Sequence, residues 1–217
     1  MVRAITYGNA IRIVAAAFIM LFLAGYAVSR ANAAAPGEEA EAFIHKLATT
    51  GVAMMEKKDI SHAERDREFH RIVREGFALE AVGRFVVGRH WRRMTKDQQA
   101  EYQELFAEWL LKSYASRLGG FDGQTLEVLN SIELQNRKQD VVVRTRVVQT
   151  NGQPPTVADW RIRKFKGEPK IIDIIIEGVS MAAAQKSEFE AVIRKVGVEG
   201  LMENLRSRLT TLVAGTR

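Results

Sequence analysis

Four kinds of side chain in this sequence could carry chemistry, and each meets an obstacle in its surroundings. Gly178-Val179-Ser180-Met181 opens like a nucleophile elbow at a strand-to-helix junction, but Ala182 stands where the second glycine belongs. Ser180 therefore fits a helix N-cap better than an attacking hydroxyl. Asp159 and Asp173 fall in the middle of strand-like segments, where a buried carboxylate could serve as general base in a cone-shaped pocket of the steroid-isomerase kind. Arginines stand opposite both, which favours paired structural carboxylates. The histidines, His45, His62, His70 and His90, show no H-E-x-x-H or other ligand spacing and sit in charged, helix-like surroundings, as surface or interface histidines do. The chain has no cysteine, so thiol nucleophiles and disulfides are excluded and a lipoprotein cysteine is absent.

One dense basic run remains, Arg84 to Arg93 (RFVVGRHWRR), with Phe85 and Trp91 interleaved. It suits either a solvated helix face whose aromatics enter the core, or a contact for anionic lipid headgroups or an acidic partner protein. Nucleic acid is a poor partner. The formal charge of +6 is mild for 217 residues, and Arg3, Arg12 and Arg30 fall in a segment expected to be removed.

The element that must position Asp173 and Ser180 is Lys170 to Phe189, KIIDIIIEGVSMAAAQKSEF. Its alternation predicts a central strand over Lys170 to Val179, with Ile172, Ile174 and Ile176 on a wholly apolar face. Ser180 then opens a helix in which Phe189, Val192, Ile193 and Val196 recur at helical spacing. Thr125 to Ile132, Val141 to Gln149 and Thr156 to Phe165 also alternate, with turn signals at Asn151-Gly152 and Lys166-Gly167. Four strands with short links predict an antiparallel meander. The register that keeps its faces consistent sets Trp160 between Val143 and Ile174, Arg144 across from Asp159, and Arg161 across from Asp173. Val141, Val147, Ala158 and Ile162 join Val143, Trp160 and the three isoleucines on the apolar side.

Helical patterns flank this sheet. Glu38 to Asp59 reads as a first helix, with Phe43, Leu47, Gly51 and Met54 along one face and acids near its start. Ser61-His62-Ala63-Glu64 is a capping box opening a second, whose apolar stripe is Phe69, Ile72 and Val73. Phe77 to Arg93 is a shorter passage broken by Gly83 and Gly88. Thr95-Lys96-Asp97-Gln98, another capping box, starts the strongest helix, which runs to Leu118 and stops at Gly119-Gly120. Tyr102, Leu105, Phe106, Trp109, Leu110 and Tyr114 give it a bulky aromatic face, fit for a core or for the wall of a cavity. Two last helices are expected over Met181 to Val196 and Val198 to Leu212. Helices, then sheet, then helices make an α+β domain with the helical layer on the apolar sheet face.

Residues 1–33 stand apart. Arg3 and Arg12 precede the apolar Ile13 to Val28, and Ala31-Asn32-Ala33 offers small residues where a signal peptidase reads. The expectation is a Sec signal cleaved near Ala33 and a single domain over 34–217. A cysteine-free exported chain whose stability rests on core burial points to the periplasm.

The order of parts resembles the MlaC family, also called the toluene-tolerance family. The resemblance runs from Gly88-Arg89-His90-Trp91-Arg92 and Thr95-x-x-Gln98 through YxxLFxxWLLKSY (Tyr102 to Tyr114) to Asp173-Ile174-Ile175-Ile176-Glu177-Gly178-Val179-Ser180, Glu188-Phe189 and Gly197. It implies a non-enzymatic periplasmic carrier that needs no cofactor or metal. Such a carrier holds a phospholipid, or a hopanoid-type lipid, by its apolar tails. It passes that lipid between an outer-membrane lipoprotein complex and an inner-membrane ABC transporter with its substrate-binding subunit, whose ATPase supplies the energy. On that footing the cavity wall is expected to include Phe85, Trp91, Phe106, Leu110, Tyr114, Val143, Trp160, Ile174 and Ile176, with hinges near Gly83, Gly88 and Gly119. The competing readings are an exported isomerase-like enzyme using Asp159 or Asp173, and a periplasmic chaperone or adaptor for apolar ligands.

Overall fold

The computed structural model describes residues 35–57, 59–115, 123–135 and 139–214. The expected signal segment lies outside these residues, as do Leu118 and Gly119-Gly120. In chain order the elements are α1 (Pro36–Glu56), α2 (His62–Gly76), α3 (Leu79–Val87), a 3-10 helix (Gly88–Arg93), α4 (Lys96–Ala115), β1 (Thr125–Glu133), β2 (Val141–Val148), β3 (Thr156–Phe165), β4 (Glu168–Ile176), β5 (Val179–Ser180) and α5 (Met181–Ala214).

Local chemistry sets the helix starts. Ser61 Oγ accepts from Glu64 N at 3.2 Å while Glu64 Oε2 accepts from Ser61 N at 2.9 Å, closing the capping box of α2. The hydrogen bonds from Ser61 hold the Glu64 carboxyl below its ordinary pKa. Thr95 and Gln98 close the same box ahead of α4, at 2.8 and 3.2 Å. The passage expected over Phe77 to Arg93 is two elements, because Gly88 (φ 60°, ψ −132°) ends α3 and a 3-10 turn follows. Gly197, with φ 73° and ψ −178°, divides α5 into two helices at the boundary the sequence suggests.

The strands form an antiparallel sheet in the order β1-β2-β3-β4-β5. This corrects the expected count of four. The fourth strand ends at Ile176, and Glu177-Gly178 makes a two-residue turn that returns the chain as β5, pairing Ile176 with Val179. Both turn residues have positive φ, 48° and 81°, as a tight hairpin of right-handed strands requires. Glu177 tolerates that conformation because it is tied to β3: its N–H donates to the Val157 carbonyl at 3.1 Å, and its carboxylate accepts from Val157 N at 2.7 Å.

The central register is as read from the sequence, with Trp160 between Val143 and Ile174. A bulge then intervenes, since Arg161 pairs with Asp173 but Ile162 pairs with Ile171. Ile171, and not Ile172, is therefore the buried residue at this level of the core, 1% exposed. Arg161 and Asp173 do stand across from each other as expected, but their side chains form no ion pair. Arg161 and Arg163 turn instead to Asp140, a fully buried carboxylate that the sequence pattern did not single out, with contacts of 2.6 to 2.9 Å. Arg144 and Asp159 do pair as expected, bidentately at 2.8 and 2.7 Å.

Two cores result. One is purely helical, with Val86 and Val87 of α3, Tyr102 and Phe106 of α4, and Phe189, Leu201 and Leu205 of α5. Its aromatic side chains step from Trp91 to Tyr102, Phe106 and Phe189 with ring centres 6.0 to 6.3 Å apart. Tyr102 donates its hydroxyl to the Gly83 carbonyl at 2.9 Å, and burial pushes its pKa up, so it remains a neutral donor. The second core joins Ala40 and Ile44 of α1 to Val141, Val143, Ile162 and Ile171 of the sheet.

Candidate functional site

Between the two cores lies a pocket of about 450 Å³. α1 contributes Ile44 and Leu47, α2 contributes Phe69, Ile72 and Val73, and α3 contributes Leu79 and Val82. α4 supplies Phe106, Trp109, Leu110 and Tyr114, facing Trp160 of β3 and Ile171 and Ile174 of β4. Hydrocarbon and aromatic carbon dominate the wall. Among the described residues of the lining, Asp173, Gln185 and Glu188 are the polar exceptions and none is a lysine, arginine or histidine. Among the lining residues Tyr114, Ala184 and Glu188 are exposed, which marks the mouth at the C-terminal end of α4 and the first turns of α5.

The wall is held in place by polar groups behind it. Trp160 Nε1 donates to Thr145 Oγ1 at 2.9 Å, and the fully buried Thr145 donates to the Ala158 carbonyl at 2.9 Å. The indole is thus fixed at its edge. Asp173 is equally committed: one oxygen accepts from Ser180 Oγ at 2.6 Å and the other from Ala182 N at 3.0 Å. Ser180 Oγ accepts from Ala183 N at 3.0 Å, so Ser180 caps α5 as its position suggested. Asp159 is thus held by Arg144 and Asp173 by the start of α5, so both carboxylates have structural partners.

The structure brings together five of the nine residues expected in the wall: Phe106, Leu110, Tyr114, Trp160 and Ile174. The other four lie elsewhere. Val143 is fully buried in the core beneath α1. Trp91 packs on the helical core with Arg84 over its ring. Phe85 is 49% exposed and carries Lys186 over its ring at 5.4 Å. Ile176 is 38% exposed, since it closes the hairpin with Val179 at the sheet edge. Sequence reasoning did not place α1 and α2 in the wall. The signal was present in the stripe of Phe69, Ile72 and Val73 on an otherwise charged helix.

His45 and His62 are exposed, while His70 and His90 are half-buried with their Nε2 atoms enclosed and without a hydrogen-bond partner. No cluster of three or more His, Cys, Asp or Glu side chains suited to a metal occurs among the described residues.

Comparison with known proteins gives three likenesses. The model of the family described as MlaC protein matches residues 41–207. The intermembrane phospholipid transport system binding protein MlaC of Haemophilus influenzae is 25% identical over 130 residues, 59% of this chain, and the chain spans about 60% of the length of that curated relative. A solved structure of a phospholipid-binding protein from Ralstonia solanacearum, in complex with a phospholipid, is 26% identical, with a TM-score of 0.69 over 80% of this chain and 98% of that one.

Proposed function

The chain belongs to the MlaC protein family, and from that premise we propose that it is a periplasmic lipid carrier that holds a phospholipid by its acyl tails in the pocket between α4 and the sheet. The observation that carries the reading is the wall itself: a pocket of about 450 Å³ whose lining, among the described residues, is apolar except at Asp173, Gln185 and Glu188. That size falls in the range of about 300 to 1,000 Å³ common to small-molecule sites. The phospholipid in the Ralstonia structure supports the same ligand class.

The physical need for such a protein is large. At about 0.8 kcal/mol per exposed methylene, a diacyl lipid of roughly 30 methylenes would cost on the order of 20 kcal/mol to move freely through water. A carrier must hide the tails and leave the headgroup wet. The mouth beside Tyr114, Ala184 and Glu188 leaves room for that headgroup in solvent. Export by the N-terminal signal, shuttling between an outer-membrane lipoprotein complex and an inner-membrane ABC transporter with its substrate-binding subunit, and a phospholipid or hopanoid-type cargo complete the proposal. An isomerase reading draws no support from Asp159 or Asp173, because both carboxylates are engaged in structure.

Native mass spectrometry of the mature protein, purified from the periplasm without detergent, tests it. A stoichiometric phospholipid or hopanoid adduct is expected. A protein that emerges free of lipid, or bound to another protein through its pocket, sinks the carrier.

A further inference from the structure

The basic run that the pocket does not use forms a surface of its own. Between Arg84 and Lys96 the chain carries five cations and no carboxylate, the flanking acids being Glu80 and Asp97. Arg84, Arg89, Arg92 and Arg93 are all exposed. Elsewhere the arginines of the sheet and of α2 are largely spoken for: Arg71, Arg144, Arg146, Arg161 and Arg163 each hold a carboxylate. Arg84, Arg89, Arg92 and Arg93 hold none, and none of these four guanidinium groups has a hydrogen bond or ion pair among the described residues. Four guanidinium groups left without counter-charge repel one another, and a monomer in isolation gains nothing from keeping them together.

Geometry gathers them. The 3-10 turn of Gly88–Arg93 has three residues per turn, so Arg89 and Arg92 fall on one edge and Arg93 lies above His90. Arg84 reaches forward over Trp91, 5.7 Å from its ring centre. Beside them stands Phe85, an aromatic ring nearly half exposed, with Lys186 Nζ over it and the Lys186 stem against Gly88. Lys186 is itself loosely paired with Glu190, at 3.9 Å on the same helix.

We propose that this face, Arg84, Phe85, Arg89, Arg92 and Arg93, docks the protein on a bilayer surface bearing anionic headgroups. The chemistry favours a membrane over an acidic protein. The face is the end of a helix and a 3-10 turn, its exposed cations are free to follow phosphates that have no fixed positions, and an exposed aromatic ring among cations matches the headgroup region. Val82 and Val86 on the inner side of α3 line the pocket, and Gln185 beside Lys186 does too, so docking here sets the lipid site next to the membrane.

The test is flotation of the mature protein with vesicles of phosphatidylcholine alone and of phosphatidylcholine with phosphatidylglycerol. Wild-type protein should float with the anionic vesicles, stay behind with the neutral ones, and be released as salt rises. Each arginine near an anionic surface is worth about five-fold in binding, so Arg89→Gln, Arg92→Gln and Arg93→Gln together should lower it on the order of 100-fold. Phe85→Ser should weaken binding and leave its salt dependence unchanged. These residues lie outside the pocket wall, so the triple variant should keep its lipid by native mass spectrometry, which separates this proposal from the carrier reading. Should the triple variant fold poorly, Arg92→Glu alone still predicts reduced flotation. Equal binding to both vesicles, binding to neither, or full binding by the variants would overturn it. Binding to neither leaves an acidic protein as the partner of this face.

Discussion

Thr145 and Trp160 sit on neighbouring strands with the indole Nε1 2.9 Å from the threonine Oγ1. The hydroxyl, fully buried, passes its own proton toward the Ala158 carbonyl. One small polar side chain behind the sheet thus fixes the angle at which the largest ring of the sheet meets the pocket. Thr145→Val keeps the shape and strands the indole N–H, at a cost of about 1–3 kcal/mol. For a domain of this size that is a fall of roughly 2–10 °C in melting temperature. Thr145→Ser, which restores the acceptor, should recover most of it. A melt of Thr145→Val within a degree of wild type would show that the bond does not hold the ring.

That pair also shows where the sequence was legible. Alternation fixes the face of a strand, so the neighbours of Trp160 could be read from spacing alone. So could both capping boxes, whose residues lie three apart in the chain and need nothing from elsewhere. What spacing does not carry is an irregularity. The bulge at Ile172 exchanges which isoleucine enters the core, and the Glu177-Gly178 turn converts an expected strand end into a fifth strand. The site was half legible for a related reason. An aromatic helix face announces a wall, but whether Val143 meets α1 or empty space depends on where α1 lies, and α1 is about a hundred residues away in the chain.

Asp140 is the second place where distant packing decides the outcome. Its carboxylate is fully buried and held by Arg161 and Arg163, whose own side chains reach solvent. Because Arg161 and Arg163 reach solvent, Asp140→Ala strands no fully buried charge and should cost about 1–3 kcal/mol through its lost charge-assisted hydrogen bonds. The readout is a lower midpoint in urea with an unchanged slope. Arg206→Ala, which removes an exposed pair with Glu101 and Glu203, should leave the midpoint nearly where it was. If the two variants behave alike, burial is not what gives Asp140 its weight.

Gly197 separates strain from collision. A Cβ added there would meet nothing within 4 Å, so space alone would permit alanine. Its backbone, at φ 73° and ψ −178°, lies in a region open essentially to glycine alone. Gly197→Ala should therefore destabilise by about 1–3 kcal/mol through conformation and not through contact. Calorimetry checks the size, and a neutral outcome would mean that the two halves of α5 straighten without penalty.

The last prediction separates wall from core, since Leu110 and Val143 were both expected to touch lipid and the structure puts only Leu110 at the pocket. Leu110→Trp fills the pocket from its α4 side. Such a chain should remain folded, lose its phospholipid adduct in native mass spectrometry, and melt at the temperature of delipidated wild-type protein, because a ligand bound only to the folded state raises that temperature by mass action. Val143→Ala removes methyl groups from a fully buried site, so it should lower stability by about 1–3 kcal/mol and keep its lipid. The opposite pattern, lipid lost by Val143→Ala and kept by Leu110→Trp, would move the tails out of this pocket and into the sheet beneath α1.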